Sequence, residues 1–288
     1  MRTPVEALHQ PRAPGSPSPT RALGGGGGST SAARPSVVAV GSGKGGVGTS
    51  TIAALLATTM AEQGHRVLLV DAGQRLGGLH HLLGVEPNGS LGQLRGEREP
   101  HDLLIPVAER LSLFPASADE SALRSTERRL LMRRVMSLYQ NFELVVVDAG
   151  SSAESLVNAC TDGATRLLAV TAGDRVSLVA TYALVKLLHE RAASVRVDIV
   201  ANRVTEESAD KLHEYLNGAS VRFLSRTVPF AGAVPEDLDF GSALAAGLGT
   251  DEASLGSTAA LAVRAIGERI LADAAAPTPS LHRLLRKG

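Results

Sequence analysis

The sequence predicts an α/β protein, a mostly parallel sheet flanked by helices on both faces. Three observations carry that expectation. Short apolar runs alternate along the chain with segments of helical period, the pattern of strand–helix–strand units. The runs are apolar throughout rather than at every second residue, as in strands covered on both faces. The polar residues Asp71, Asp148 and Asn202 fall where runs end, the edge at which parallel sheets bind ligands.

Residues 1–35 are rich in Pro, Gly, Ser and Arg and include five consecutive glycines, Gly24 to Gly28. Such a segment buries too little apolar surface to offset its chain entropy and is expected to be a disordered tail. Val37 to Val40 is the first strand-like run. The glycine-rich stretch Gly41 to Thr51 opens a helical pattern that continues to about Gln63, with Gly64 as its natural C-cap. Further runs of strand length are Val67 to Val70, Leu111 to Phe114, Leu144 to Val147, Leu167 to Val170 and Val197 to Ala201. Helical periodicity fills Glu127 to Tyr139, Leu178 to Arg191 and Ser208 to Leu216. A last helix, from about Ser257 to Ala272, completes a domain spanning residues 36–273. Residues 274–288 are expected to be an Ala/Pro linker and a short basic amphipathic tail.

At 288 residues and 44% apolar content the chain can bury a sizeable core as one domain with tails. Its formal net charge is zero, so no global field draws it to nucleic acid, and a nucleic-acid partner is not expected. The single cysteine, Cys160, has no internal partner and is expected to be a small core residue. No apolar run approaches membrane-spanning length and no signal-peptide segment is visible, so a cytoplasmic location is expected.

The stretch GSGKGGVGTST, Gly41 to Thr51, is where function shows most clearly. A strand, a glycine turn and a helix N-terminus in succession make a phosphate cradle. Unpaired backbone N–H groups point at the anion and the helix dipole favours its charge. Gly43, Gly45 and Gly48 also satisfy G-x-G-x-x-G, and Asp71 stands about where a ribose-binding acid would be, so a dinucleotide-binding domain is a rival. Against it, Lys44 sits inside the turn, where a cation suits a triphosphate, and Ser50 and Thr51 offer hydroxyls to Mg²⁺. Thr49 occupies the position where a Walker A loop carries its lysine.

The GKGGVG loop resembles that of the MinD/ParA family of deviant Walker A P-loop ATPases, and the resemblance extends from Val37 to about Leu271. Within the family the stretches LVDAGQRLGGLHHLLGVEP, FELVVVDAG and SLVATYALVKLL look most like the FlhG branch, MinD-like regulators of flagellar number and placement. The resemblance implies ATP and Mg²⁺ as ligands, held by Gly43, Lys44, Gly45, Gly46, Val47, Gly48, Thr49, Ser50 and Thr51. Lys44 would act catalytically across a homodimer, on the partner's phosphates. Ser50 would coordinate Mg²⁺, and Asp148 would be the Walker B-type acid that holds the metal's shell. Asn202 and Arg203 resemble the adenine-side pair, with Pro229 and Pro235 in the base-packing loop.

Two departures put turnover in doubt. Thr49 replaces a charge-assisted phosphate contact worth about 1.5–3 kcal/mol. The family's first switch reads D-x-D, whereas here it is Asp71-Ala72-Gly73, without the carboxylate that orients water. A positioned acid–base group contributes roughly 10²–10⁴ in rate; Gln74 is a candidate substitute. In the tail, Leu281, Leu284 and Leu285 recur at i, i+3, i+4 among Arg283, Arg286 and Lys287. This resembles the membrane-targeting helix that ends MinD and FlhG proteins, implying a peripheral place on an anionic membrane and a partner in the flagellar or a polar machinery. The competing expectations are a nucleotide-free scaffold, a ParA-type partitioner and a dinucleotide enzyme.

Overall fold

The computed structural model of the chain describes residues 34–73, 78–115, 123–237 and 255–275. The first apolar run forms β1 (Ser36–Gly41), buried from Val37 on. Its side chains alternate between two cores: Val37 and Ala39 join one, Val38 and Val40 the other. Each face of such a strand needs its own cover. Among the described residues the sheet adds β2 (Val67–Asp71), β3 (Ile105–Ala108), β4 (Leu111–Phe114), β5 (Leu144–Gly150), β6 (Arg166–Thr171), β7 (Arg196–Asn202) and β8 (Phe230–Val234). Their order is β3-β4-β2-β5-β1-β6-β7-β8. Every neighbouring pair is parallel except β3 with β4.

Helices cover both faces, as the sequence predicts. On one lie α1 (Thr49–Glu62), the short α2 (Leu79–Leu82) and α7 (Thr258–Ala275); on the other α3 (Ser125–Val135), α4 (Ala153–Thr161), α5 (Arg175–Arg191) and α6 (Glu206–Leu224). α1 runs beneath the sheet with Ile52, Leu55, Leu56 and Met60 fully buried, each side chain contributing about 1.5–3 kcal/mol. Gly267 brings α7 close to it, since a Cβ there would stand 2.6 Å from Met60 Sδ and 2.8 Å from Leu56 Cδ1.

The apolar runs all become strands within a residue or a few of the expected bounds. β3 and β8 are additions. β3 is a four-residue edge strand carrying Pro106, and β8 is a Gly/Ala stretch where a base-packing loop was expected. The predicted helix to Tyr139 ends at Val135 and tightens into a 3₁₀ turn over Met136–Asn141. α6 is longer than its periodicity indicated and α7 runs on to Ala275.

At the N-terminal ends of β6 and β7, buried Asp198 lies 2.8 Å from Arg196 Nε and 3.5 Å from Arg166 Nη1. Both arginines also reach Asp273 of α7, at 2.7 and 3.1 Å, so the last described helix is pinned to the sheet there. Cys160 is buried on α4, and burial pushes its thiol pKa up to about 12.

Candidate nucleotide-binding site

The glycine turn leaves the C-terminal end of β1, a central strand, and enters α1. Gly43 must be glycine on grounds of space: a Cβ there would lie 2.1 Å from the Ala180 carbonyl oxygen of α5. Gly48 must be glycine on two grounds. It takes φ 92° at the N-cap of α1, and a Cβ would stand 2.4 Å from Asn202 Nδ2. Gly45 and Gly46 form the exposed rim of the turn, while Val47 is buried beneath it.

Side chains brace this turn. The Thr49 hydroxyl donates to Ser42 Oγ at 2.9 Å, and Ser42 Oγ donates to the Lys44 carbonyl at 2.8 Å. Asn202 Nδ2 donates to the Val47 carbonyl at 2.8 Å, and the Ser42 amide donates to the Gly150 carbonyl at 3.0 Å. Thr49 therefore faces the inside of its own loop. Thr51 is half-buried one residue beyond Ser50.

Lys44 is the one cation between Val37 and His65. Its Nζ lies 3.3 Å from both carboxylate oxygens of Asp174 and 3.5 Å from Ser177 Oγ. Asp174 is also the N-cap of α5, accepting from the Ser177 amide at 3.0 Å. The Ser177 hydroxyl first, then the Ser177 amide and Lys44, hold the Asp174 carboxyl down to about 2.

Asp148 ends the apolar part of β5 and is 3% exposed. It sits in register with Asp71 of β2 and Val40 of β1, beside the base of the turn. Burial raises its pKa; the Ser50 hydroxyl and the Gly150 amide, which donates to Oδ1 at 3.0 Å, pull the other way. A hydroxyl and a carboxylate already within hydrogen-bonding reach are hard oxygen donors of the kind Mg²⁺ takes. With the cradle above them, Ser50 and Asp148 fit a magnesium nucleotide.

The stretch expected to be the first switch follows β2. Asp71 is buried, and the Ala72 amide donates to the Asp148 carbonyl at 2.9 Å. Arg128 of α3 donates to the carbonyls of Ala72 at 3.1 Å and Gly73 at 2.8 Å. Gln74 lies outside the described residues, as do Leu281, Arg283, Leu284, Leu285, Arg286 and Lys287. Asn202 ends β7 under the turn. Arg203 follows it exposed at φ 58°, its amide donating to the Val234 carbonyl at 2.8 Å. Pro229 and Pro235 bracket β8, next to β7.

Sequence reasoning missed the roles of Ser42, Asp174, Ser177 and Arg128. Asp174-x-x-Ser177 carried a helix-cap signal that was readable. Arg128 carried none, because its partners lie more than fifty residues away.

A glycine turn between a central parallel strand and a helix N-terminus, with a buried acid near the C-terminal end of the adjacent strand, places the molecule among P-loop nucleotide-binding proteins. Residues 38–250 match the family described as the CobQ/CobB/MinD/ParA nucleotide binding domain, and the chain belongs to that family of ATPases. It is 28% identical over 239 residues to the antiactivator FleN of Pseudomonas aeruginosa, covering 81% of this chain and 85% of FleN. It is 27% identical over 154 residues to the flagellum site-determining protein YlxH of Helicobacter pylori, 52% of each chain. The resemblance to the FlhG-like flagellar branch thus holds beyond the quoted motifs. Among solved structures, the septum site-determining protein MinD of Pyrococcus horikoshii, complexed with Mg-ADP, superimposes with a TM-score of 0.67. That match has 20% identity and covers 82% of this chain and 96% of that one, a likeness of fold.

Proposed function

We propose that the chain is a FlhG/MinD-like switch. It binds ATP with Mg²⁺, pairs with a second copy of itself and takes part in setting the place or number of flagella. It works in the cytoplasm and on the inner face of the plasma membrane, with a protein of the flagellar or a polar machinery as partner. The observation that carries this reading is the braced glycine cradle with Ser50 and Asp148 at its base; the flagellar relatives supply the biological direction.

In this reading the amides of Gly43 to Thr49 hold the phosphates and Thr51 stands near the inner ones. Ser50 and Asp148 hold the metal, which when bound offsets phosphate charge. Asn202 keeps an amide oxygen to accept from a base edge while its nitrogen holds Val47. Arg203 stands exposed beside it. Lys44, half-exposed on Asp174, exchanges that carboxylate for the partner's phosphates. Val176 and Val179 of α5, 65% and 70% exposed on the first turns after Asp174, support a contact between copies at this end.

Hydrolysis is slow, because Thr49 brings no cation and Gly73 no carboxylate. The tail leucines 281, 284 and 285, with Arg283, Arg286 and Lys287, give each copy a marginal hold on anionic lipid that two copies strengthen.

Calorimetry of the full chain with ATP, ADP and NAD, each with Mg²⁺, tests the core of this reading. ATP binding with turnover near background is expected; silence in every titration leaves a scaffold, and NAD binding alone a dinucleotide protein. Removing residues 281–288 is expected to release the protein from anionic liposomes, and unchanged sedimentation would end the membrane claim.

A further inference from the structure

The chain has five asparagines, and two of them, Asn88 and Asn217, are followed directly by glycine. Asparagine is chemically labile, and that dipeptide exposes it most. The amide nitrogen after an asparagine can attack the side-chain carbonyl carbon, and glycine puts no Cβ in the way. Attack needs a backbone N–H not spent on a hydrogen bond and a main chain free to bring it round. The fold treats the two sites in opposite ways.

Asn217 and Gly218 lie inside α6, where the ladder of main-chain bonds occupies the Gly218 amide. The Asn217 side chain is half-buried and accepts from the Val228 amide at 3.0 Å, which fixes its plane. Asn88 is exposed, in the irregular stretch between α2 and a 3₁₀ turn over Leu91–Arg95. Its Nδ2 makes one exposed bond, to the Asp102 carbonyl at 3.2 Å, and water replaces such a bond at little cost. The Gly89 amide donates to nothing among the described residues. An exposed loop of this kind opens with little free energy.

We propose that Asn88-Gly89 is a self-modification site, at which the chain converts its own asparagine to aspartate or isoaspartate while α6 protects Asn217-Gly218. Base removes the Gly89 amide proton, the nitrogen bonds to Asn88 Cγ, and the Cγ–Nδ2 bond breaks. The side-chain nitrogen leaves as ammonia, taking a proton from solvent, and a five-membered imide remains. Water adds to one of the two imide carbonyls and opens the ring. One opening gives aspartate; the other reroutes the main chain through the side chain as isoaspartate. Nothing is oxidised or reduced, and water is the only co-reactant.

The surroundings are ill suited to the product. A Cβ on Gly89 would stand 2.3 Å from Gln93 Oε1 and 2.6 Å from Leu103 Cδ2, so the chain has no room to shift there. Isoaspartate inserts a methylene into the main chain one residue away. Either product also replaces the donor facing the Asp102 carbonyl with a carboxylate. Buried Ser90, Leu91 and Leu94 follow directly, and Arg95 fastens the same turn to Glu127 of α3 at 2.6 and 2.8 Å. Conversion therefore loosens the Leu91–Arg95 turn, whatever the glycine cradle holds.

Peptide mapping by mass spectrometry of the full chain, aged in buffer, reads both sites together. Acid at residue 88 is expected to accumulate at least tenfold faster than at residue 217, and faster at alkaline than at neutral pH. Comparable rates in the folded protein, or no acid at residue 88, would overturn the proposal. In concentrated urea the two rates are expected to converge, and an Asn217 that stays slow there would refute protection by α6. Electron-transfer fragmentation separates the two acids; aspartate without isoaspartate would refute the imide route. Asn88→Gln lengthens the arm so that no five-membered imide forms, and it is expected to stay intact over the same period. Acid at residue 88 of that variant would count against the mechanism. Hydrogen exchange at Leu91 to Arg95 is expected to be faster in aged than in fresh wild type and unchanged in aged Asn88→Gln. Equal exchange in aged and fresh wild type would overturn the loosening.

Discussion

Thr49 is the sharpest place to test how this loop handles a polyphosphate. Thr49→Lys installs a cation at the position where a Walker A loop has one, and a charge-assisted contact there is worth about 1.5–3 kcal/mol. That corresponds to roughly 10- to 150-fold tighter binding of ATP. The structure adds a second consequence. The Thr49 hydroxyl donates to buried Ser42 Oγ, which in turn holds the Lys44 carbonyl. Breaking that bond costs about 0.5–1.5 kcal/mol of fold stability, or a melting temperature lower by about 2–4 °C per kcal/mol in a domain of this size. Thr49→Val separates the two effects, since it removes the brace and adds no charge. Titration with a fluorescent ATP analogue and thermal melts of the three proteins are the assay. Both variants should melt lower, and only Thr49→Lys should bind ATP more tightly. If Thr49→Lys binds no better while Thr49→Val melts with the wild type, both the cradle geometry and the bracing role of Thr49 are refuted.

Other substitutions probe the rest of the site. Burial raises the Asp148 pKa, so between the ordinary carboxylate value and the raised one the folded chain holds a proton the unfolded chain has released. Stability then falls as pH rises through that window. Asp148→Asn is expected to flatten that slope and melt higher at neutral pH while losing the Mg²⁺ dependence of ATP binding; a lower melting temperature at pH 7 contradicts this. Gly43→Ala would place a Cβ 2.1 Å from a main-chain oxygen of α5. A loss of about 1–3 kcal/mol in urea unfolding, together with lost ATP binding, is expected, and a silent variant refutes the close approach. Asp174→Asn keeps a good helix cap but removes the charge that holds Lys44. Sedimentation should show pairing of copies at lower ATP concentration, and an unshifted curve argues against Lys44 leaving Asp174 for a partner.

Much of this architecture was legible because parallel strands buried on both faces leave unbroken apolar runs. The run Leu111 to Phe114 coincides with β4 residue for residue. β8 escaped because Phe-Ala-Gly-Ala-Val joins the sheet through its backbone, in ladder bonds with β7, rather than by side chains that periodicity can detect. β3 escaped because it is short, antiparallel and interrupted by Pro106, a residue that tolerates only an edge. In the site, the glycines, Asp148 and Asn202 announce themselves by their place at strand ends. The partners that set their chemistry do not. Lys44 meets Asp174 across 130 residues, and Arg128 meets the turn after β2 across more than fifty, through a fold no local pattern encodes.

The ion cluster around Asp198 also decides how the last described helix is anchored. Asp273, two residues before the end of α7, is tied to the first residues of β6 and β7, the opposite pole from the glycine turn. Strands of this length put the two poles about 20 Å apart. A pull on the end of α7 is thus borne first by Arg166 and Arg196 and passes into the sheet at the pole away from the glycine turn.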